Sequence, residues 1–415
     1  MTLAQQIRGG LGAIVGIFLL GGCVSTFAER DVSYEKIILV QPKSEIVESK
    51  LLGVRIKPFQ PGGIPEDEDE SHGISKEIRK AEGYYSAVQL KNSLQQSGYW
   101  GPVRVVPTAV TGGEVIITGR VLESDGEILK LEVSVHDATG LLWFTSEYEE
   151  VVDTKAYDQS EGDIETFQYL YNRIANDVAQ HRETLAPKKI ESIRQVAELK
   201  FAKDFVPVAF EGYLVSSEPG NEDSSFLSIS SIETEESQIL KVARLPANDD
   251  PMLMRIRRIR VREEALVDTL DLQYERLSRE ISTEYTQWRI ARLSEMNAVR
   301  ELEEKENEEL GTAVALGVLG IALGVGIGSA GGNVGYGAGG TVTGVALSVA
   351  VKMAFDAQNK AEEDMKIHKA ALEELGESLA EDLKLTVVQV EGETVELKGS
   401  AEAKFKQWRG ILKQI

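Results

Sequence analysis

The spacing of apolar positions changes several times along this chain, and each change marks a new element. Ile37 to Val40 and Val54 to Ile56 are short β-branched runs bounded by Pro42, Gly53 and Pro58, which predicts two strands. From Glu82 to Gln96 the period lengthens: Tyr84, Ala87, Leu90 and Leu94 share one helical face, and Gly98 closes the helix. Val103 to Val106, Glu114 to Leu122 and Ile128 to His136 return to strand. Asp137-Ala138-Thr139-Gly140 is then a turn into Leu141 to Phe144, so a hairpin is expected. Thr166 to Arg182 adds a helix. This order predicts an α+β layer over residues 35–185, with helices on one face of a sheet. Residues 186–250 offer strands at Val208 to Ser216, Phe226 to Ile229 and Ile239 to Leu245. They read as a small β-rich segment or an extension of the first sheet.

From Met252 to Glu309 there is neither Gly nor Pro and charge is dense, which predicts one long helix of roughly 85 Å. Its apolar stripe, Leu266, Leu270, Tyr274, Leu277, Ile281, Tyr285 and Trp288, follows an 11-residue repeat close to the natural helical period, so it stays on one side. A shorter stripe returns through Met353, Ala357, Ala361, Met365, His368, Leu372, Leu375 and Leu379. The two stripes are expected to pack on each other as an antiparallel pair, or on copies of themselves. Together they make residues 251–384 a long helical hairpin. Residues 385–415 then give strands at Leu385 to Val390 and Thr394 to Leu397 and a helix from Ala401 to Gln414, with Trp408 as a packing anchor.

At the tip of the hairpin, residues 310–351 carry no charge. Gly320, Gly324, Gly328 and Gly332 fall at four-residue intervals, and Gly340, Gly344 and Ser348 repeat the device after a break within Gly331 to Gly339. That spacing places small residues on one helix face, where backbones approach closely in an apolar medium. Two arms of about 18 to 20 residues approach the length that spans a bilayer. The tip resembles the glycine-zipper hairpins of bacterial membrane proteins, which implies a transmembrane or re-entrant hairpin. A flexible Gly-rich loop and a buried soluble hairpin are the alternatives. Gly326-Ile327-Gly328-Ser329-Ala330-Gly331 matches the dinucleotide fingerprint by letter, but no strand precedes it, so that reading is set aside.

The amino terminus adds a location. Arg8, an uncharged run from Gly9 to Leu20, and Leu20-Gly21-Gly22-Cys23 form a charged region, an apolar region and a small-residue boundary. This resembles the lipobox of bacterial lipoproteins, which implies cleavage of residues 1–22 and acylation of Cys23, with 23–34 as a tether. Val24 in place of Asp implies, by the same resemblance, the outer membrane facing the periplasm. A buried core cysteine or an ordinary secretory signal is the plainer alternative.

The helix from Tyr84 through Leu94 ending in Ser97-Gly98-Tyr99-Trp100, the strand Val115 to Val121, and the turn before Trp143 are similar to the amino-terminal domain of the TolB family. The related domain of curli-secretion lipoproteins shares the pattern. The likeness covers about a third of the chain and implies a fold without an activity.

Composition narrows the function classes. The net charge of -22, from 67 acidic and 45 basic residues, repels phosphate backbones, so nucleic acid is not an expected partner. Glu66 to Glu70 is an acidic run read as a solvated loop. With Cys23 lipidated, no thiol remains for a disulfide, and stability must come from packing. His72, His136, His181 and His368 are scattered without metal-ligand spacing, and His136-Asp137 reads as a surface pair. No nucleophile elbow or P-loop occurs, and neither an enzyme activity nor a cofactor is expected. The expected protein is a non-enzymatic outer-membrane lipoprotein of envelope assembly or secretion. Its partners would be membrane lipid, through the Cys23 acyl chains and the hairpin, other envelope proteins, and copies of itself in a homo-oligomer. The rival reading is a periplasmic scaffold whose helical arm docks a partner membrane protein.

Overall fold

Alternating Val, Ile and Leu positions put one face of a mixed sheet into the core. The structure, a computed structural model, describes residues 36–62, 76–159, 165–217, 239–247, 249–315, 366–372, 386–390 and 393–414. The sheet is built from β1 (Val54–Ile56), β2 (Gln60–Pro61), β3 (Val103–Val105), β4 (Val115–Ser124), β5 (Ile128–Asp137) and β6 (Leu142–Val151). Its order is β3-β1-β4-β5-β6, with β2 also paired to β4. β1 runs parallel to β3 and β4, whereas β4, β5 and β6 form an antiparallel meander. Val54, Ile56, Val105, Ile117, Leu131 and Val133 are fully buried on the inner face. The opposite face is stabilised by polar pairs between strands: Ser134 with Thr145 at 2.8 Å, Arg120 with Glu132 at 3.1 Å and Lys130 with Glu147 at 2.9 Å.

The inner face is covered by α1 (Lys76–Ser97) and by α3 (Gln168–Thr184), which follows the short α2 (Thr154–Gln159). α1 is buried on almost every side because a further helix covers it from outside. Gly83 lies mid-helix for a steric reason: a Cβ there would come within 2.1 Å of the Phe59 carbonyl oxygen, and the Gly83 carbonyl accepts the Phe59 N–H at 3.0 Å. The α+β layer expected from the sequence is therefore present.

Ile37 to Val40 does not form the expected strand. It is an extended strap held by side chains of α3: Asn172 donates to the Ile37 carbonyl at 2.8 Å, Asn176 donates to the Ile38 carbonyl at 2.9 Å, and Asn176 Oδ1 accepts the Val40 N–H at 2.8 Å. Two asparagines one turn apart supply the pairing that a neighbouring strand would have given.

Residues 186–250 also differ from expectation, because Pro187–Phe205 is a helix, α4. Ala186 is extended and Pro187 occupies the first turn, where its missing N–H costs nothing; Ile190, Ile193, Val196 and Ala202 form the buried side. The β-structure of this stretch is the two-stranded pair β7 (Leu214–Ser217) and β8 (Ile239–Val242), tied to the β5–β6 turn by the Leu240 N–H donating to the Thr139 carbonyl at 2.8 Å. Phe226 to Ile229 lies outside the described residues.

The long helix, α5 (Pro251–Ala315), spans 65 residues and about 97 Å. Every member of its apolar stripe from Leu266 to Trp288 is 6% exposed or less. The described residues give that stripe a further partner, the α+β body, beside the returning segment that the sequence led us to expect. Leu266, Leu270 and Tyr274 join the main core, while Leu277, Ile281, Tyr285 and Trp288 cluster with Ile78, Ala81 and Tyr85 of α1. The returning stripe contributes through the segment 366–372, where Leu372 is fully buried in the same cluster. β9 (Thr386–Val390) and β10 (Glu393–Leu397) pair antiparallel, and α6 (Ala401–Leu412) packs on α5 with Trp408 at 2% exposure, its Nε1–H donating to the Arg262 carbonyl at 3.2 Å. One hydrophobic cluster takes in residues from Leu52 to Leu412, so the core runs through the boundaries drawn at 185 and 250.

Candidate functional site: the seat of the long helix

α5 is positioned along its length by ionic contacts that become more buried towards its middle, and this seat is the most elaborate polar arrangement among the described residues. Near its beginning, Glu264 receives Arg55 from β1 and Arg104 from β3, and Asp268 takes a second bond from Arg104. One helical turn further, Asp271 accepts Lys91 of α1 and also the Val105 backbone N–H at 2.7 Å. That carboxylate covers the outer N–H of the β3 edge, and Glu402 of α6 continues the cover by accepting the N–H groups of Thr108 and Ala109 at 2.6 and 3.0 Å. Burial raises the Asp271 carboxyl above its ordinary range, and the ion pair with Lys91 opposes that shift.

The third contact is the deepest. Arg289 is fully buried and donates to Glu165 Oε1 at 2.6 Å, while the other Glu165 oxygen accepts the Tyr85 hydroxyl. Tyr285, one turn earlier, donates to Glu82, which Arg79 also meets at 2.6 Å. Among the described residues the Arg289 Nε and Nη2 have no hydrogen-bond acceptor. Their environment is aromatic: the guanidinium carbon stands 3.9 Å from the Tyr285 ring centroid, 4.8 Å from Phe167 and 5.7 Å from Tyr85. Ring faces offset part of the missing solvation. Burial drives the Tyr85 and Tyr285 hydroxyls well above their ordinary range, which keeps them as neutral donors.

Two hollows flank this seat. One, of about 690 Å³, is a groove between α1 and α5 lined by hydroxyl and carboxamide side chains, including Ser278, Ser282, Thr286, Gln89 and Asn92. The other, of about 410 Å³, lies at the beginnings of β1 and β3, where Arg55, Arg104, Arg194 and Arg260 meet Glu48, Glu114 and Glu264. Its arginines are committed to the fold, since Arg55 donates to the Gly112 carbonyl at 2.7 Å and Arg194 to the Ser49 carbonyl.

The chain matches no family model, no curated protein and no solved structure. What it does must therefore be argued from its own residues.

Cys23 and the zipper positions Gly320, Gly324, Gly328, Gly332, Gly340 and Gly344 lie outside the described residues. Among the described residues no helix is long and apolar enough to cross a membrane, and no group of three metal-ligating side chains converges. His136-Asp137 is not a surface pair. Asp137 is 2% exposed, accepts the Thr139 N–H at 2.8 Å and the Trp143 Nε1–H at 3.2 Å, and has Lys189 at 3.6 Å. It organises the β5–β6 turn, and burial lowers the pKa of both His136 and His181. Reading the sequence missed Arg289 and Glu165 as a pair, because arginine beside an apolar stripe is ordinarily solvated.

Proposed function

We propose that this is a non-enzymatic outer-membrane lipoprotein of envelope assembly or secretion, anchored at Cys23 and oligomerising through a membrane-inserted hairpin. The observation that carries the reading is the helix α5, seated in the α+β body by three ionic contacts, two of them buried, and continuing as helix to Ala315, inside the uncharged run that begins at Leu310. A helix fixed in this way transmits the position of the body to whatever its far end enters. Four-residue glycine spacing beyond that end supports close helix packing in lipid. The acyl chains and the zipper would then be two lipid contacts of one chain.

Fractionation of cells expressing the full chain tests this. The chain should sediment with outer membranes, and mild-detergent extracts should contain an oligomer that Gly324→Leu or Gly344→Leu dissociates. Recovery of a signal-cleaved Cys23→Ser form as a fully soluble monomer would sink the inserted hairpin. Crosslinks from position 324 or 344 that capture a foreign membrane protein instead of a second copy would favour the scaffold reading.

A further inference from the structure

One face of α5 points away from the body and carries a pattern that the seat does not use. Met254, Val261, Ala265 and Leu272 follow at intervals of 7, 4 and 7 residues, so they lie along one side of the helix. Met254 is 47%, Val261 70% and Leu272 62% exposed, and Ala265 is exposed between them. Arg258 and Arg276 stand exposed on the same side, and neither makes an ion pair among the described residues. Two acids share that side. Asp268, with its side chain 53% exposed, gives one oxygen to Arg104. Asp250 caps the start of α5, its Oδ1 accepting the N–H groups of Met252 and Leu253 at 2.8 and 3.1 Å. Each acid keeps a second carboxylate oxygen for another partner.

These positions are symmetric about residue 263. Val261 and Ala265 lie two places from it, Arg258 and Asp268 five, Met254 and Leu272 nine, and Asp250 and Arg276 thirteen. A second copy laid antiparallel on this face, with its own residue 263 at the same level, therefore sets Met254 against Leu272 and Val261 against Ala265. It also brings Arg258 level with Asp268 and Arg276 level with Asp250, and every pair occurs twice, as a two-fold contact requires. The small Ala265 side chain lets the helices approach at the centre. A parallel copy would instead set Arg258 against Arg258 and Arg276 against Arg276, like charge against like. An anionic lipid surface would meet Asp250 and Asp268 as well as the arginines, so it has no use for the alternation of sign. We infer that the outer face of α5 is the interface for a second, antiparallel copy of this chain. The far ends of the two helices leave such a pair in opposite directions, so the contact is separate from the zipper and holds whether or not the hairpin enters lipid.

Two differently tagged forms of the full chain test it in mild detergent, both carrying Cys23→Ser and Gly324→Leu, one with Met254→Cys and the other with Leu272→Cys. Mixed and oxidised, they should give a disulfide-linked dimer that contains both tags. Positions 254 and 272 of one helix are about 27 Å apart, so the Met254→Cys form alone should give none. Without the new cysteines the chain should sediment as a dimer at about 100 μM. Arg258→Asp should weaken that dimer at least tenfold, and Leu272→Asp, at a second exposed position, should do the same. A monomer at that concentration, dimers linked through position 254 alone, or a dimer that neither variant weakens would each overturn the proposal. The Gly324→Leu background keeps the two contacts apart: an oligomer that this substitution reduces wholly to monomer leaves the zipper standing and removes the α5 interface.

Discussion

The Arg289 guanidinium and the Glu165 carboxylate meet at 2.6 Å with side chains 1% and 5% exposed, joining α5 to the loop before α3 across 124 positions of sequence. Taking two charges out of water is unfavourable, and their attraction repays it only while both are present. Arg289→Met should therefore cost about 3–5 kcal/mol, because Glu165 is left buried with only the Tyr85 hydroxyl. Denaturant unfolding of Arg289→Met, Glu165→Gln and the double variant checks this. The double variant should recover at least about 1 kcal/mol of the summed single losses, and strict additivity would mean that the pair does not act as a unit.

Gly126 makes a second link between sheet and helix. It sits in the β4–β5 turn with φ +91°, and a Cβ on it would lie 2.3 Å from the Arg289 carbonyl oxygen. The Gly126 carbonyl also accepts the Tyr157 hydroxyl at 2.6 Å. Gly126→Ala meets two costs, the left-handed backbone at about 1–2 kcal/mol and a backbone collision that only movement of α5 relieves. Its unfolding midpoint should fall clearly, and hydrogen exchange should rise in α5 around Arg289. A variant with unchanged exchange there would show that the turn and helix are not in contact.

Glu150 supplies a pH dependence. It is 9% exposed, its Oε2 accepts the Leu170 N–H in the first turn of α3 at 2.6 Å, and burial raises its carboxyl to about 7. Because the folded value lies above the unfolded one, the folded state holds this proton more tightly. Its contribution is complete below about pH 4.5, declines as pH rises, and is gone above about 7. Glu150→Gln keeps the acceptor for Leu170 and removes the titration. Its stability should lose the decline between pH 4.5 and 7 that wild type shows, a difference of about 3 kcal/mol at most, measured by denaturant midpoints across that range.

How far the sequence foretold these features follows from what each residue's periodicity encodes. The sheet, α1, α3 and the C-terminal helix were legible because Val, Leu and Ile positions repeat at the strand or helix period and end at Gly98 or turn at Asp137 to Gly140. Trp408 was legible as an anchor for the same reason. The stripe of α5 was visible, but its partner in the α+β body was not, since a stripe states only that one side is covered. α4 was missed because Pro187 reads as a break until Ala186 is seen to be its N-cap. The strap at Ile37 has the composition of a strand and receives its pairing from Asn172 and Asn176, a long-range choice that local propensity does not contain.

The return of the chain beside α5 gives the last prediction. His368 Nδ1 lies 2.8 Å from Glu284 Oε2, 84 positions away, and Leu372 shares a cluster with Leu277 and Ile281. Rising numbers on the returning segment meet falling numbers on α5, so the segment runs antiparallel to the helix. The segment 366–372 therefore lies back on the same helix along which the chain left the body. In a Cys23→Ser background, Glu284→Cys with His368→Cys should react with a short bismaleimide to give a product of monomer mass. Mixing differently tagged copies before reaction should yield no heterodimer. A crosslinked product at dimer mass containing both tags would show that the contact is made by a second copy, with the segment 366–372 exchanged between chains.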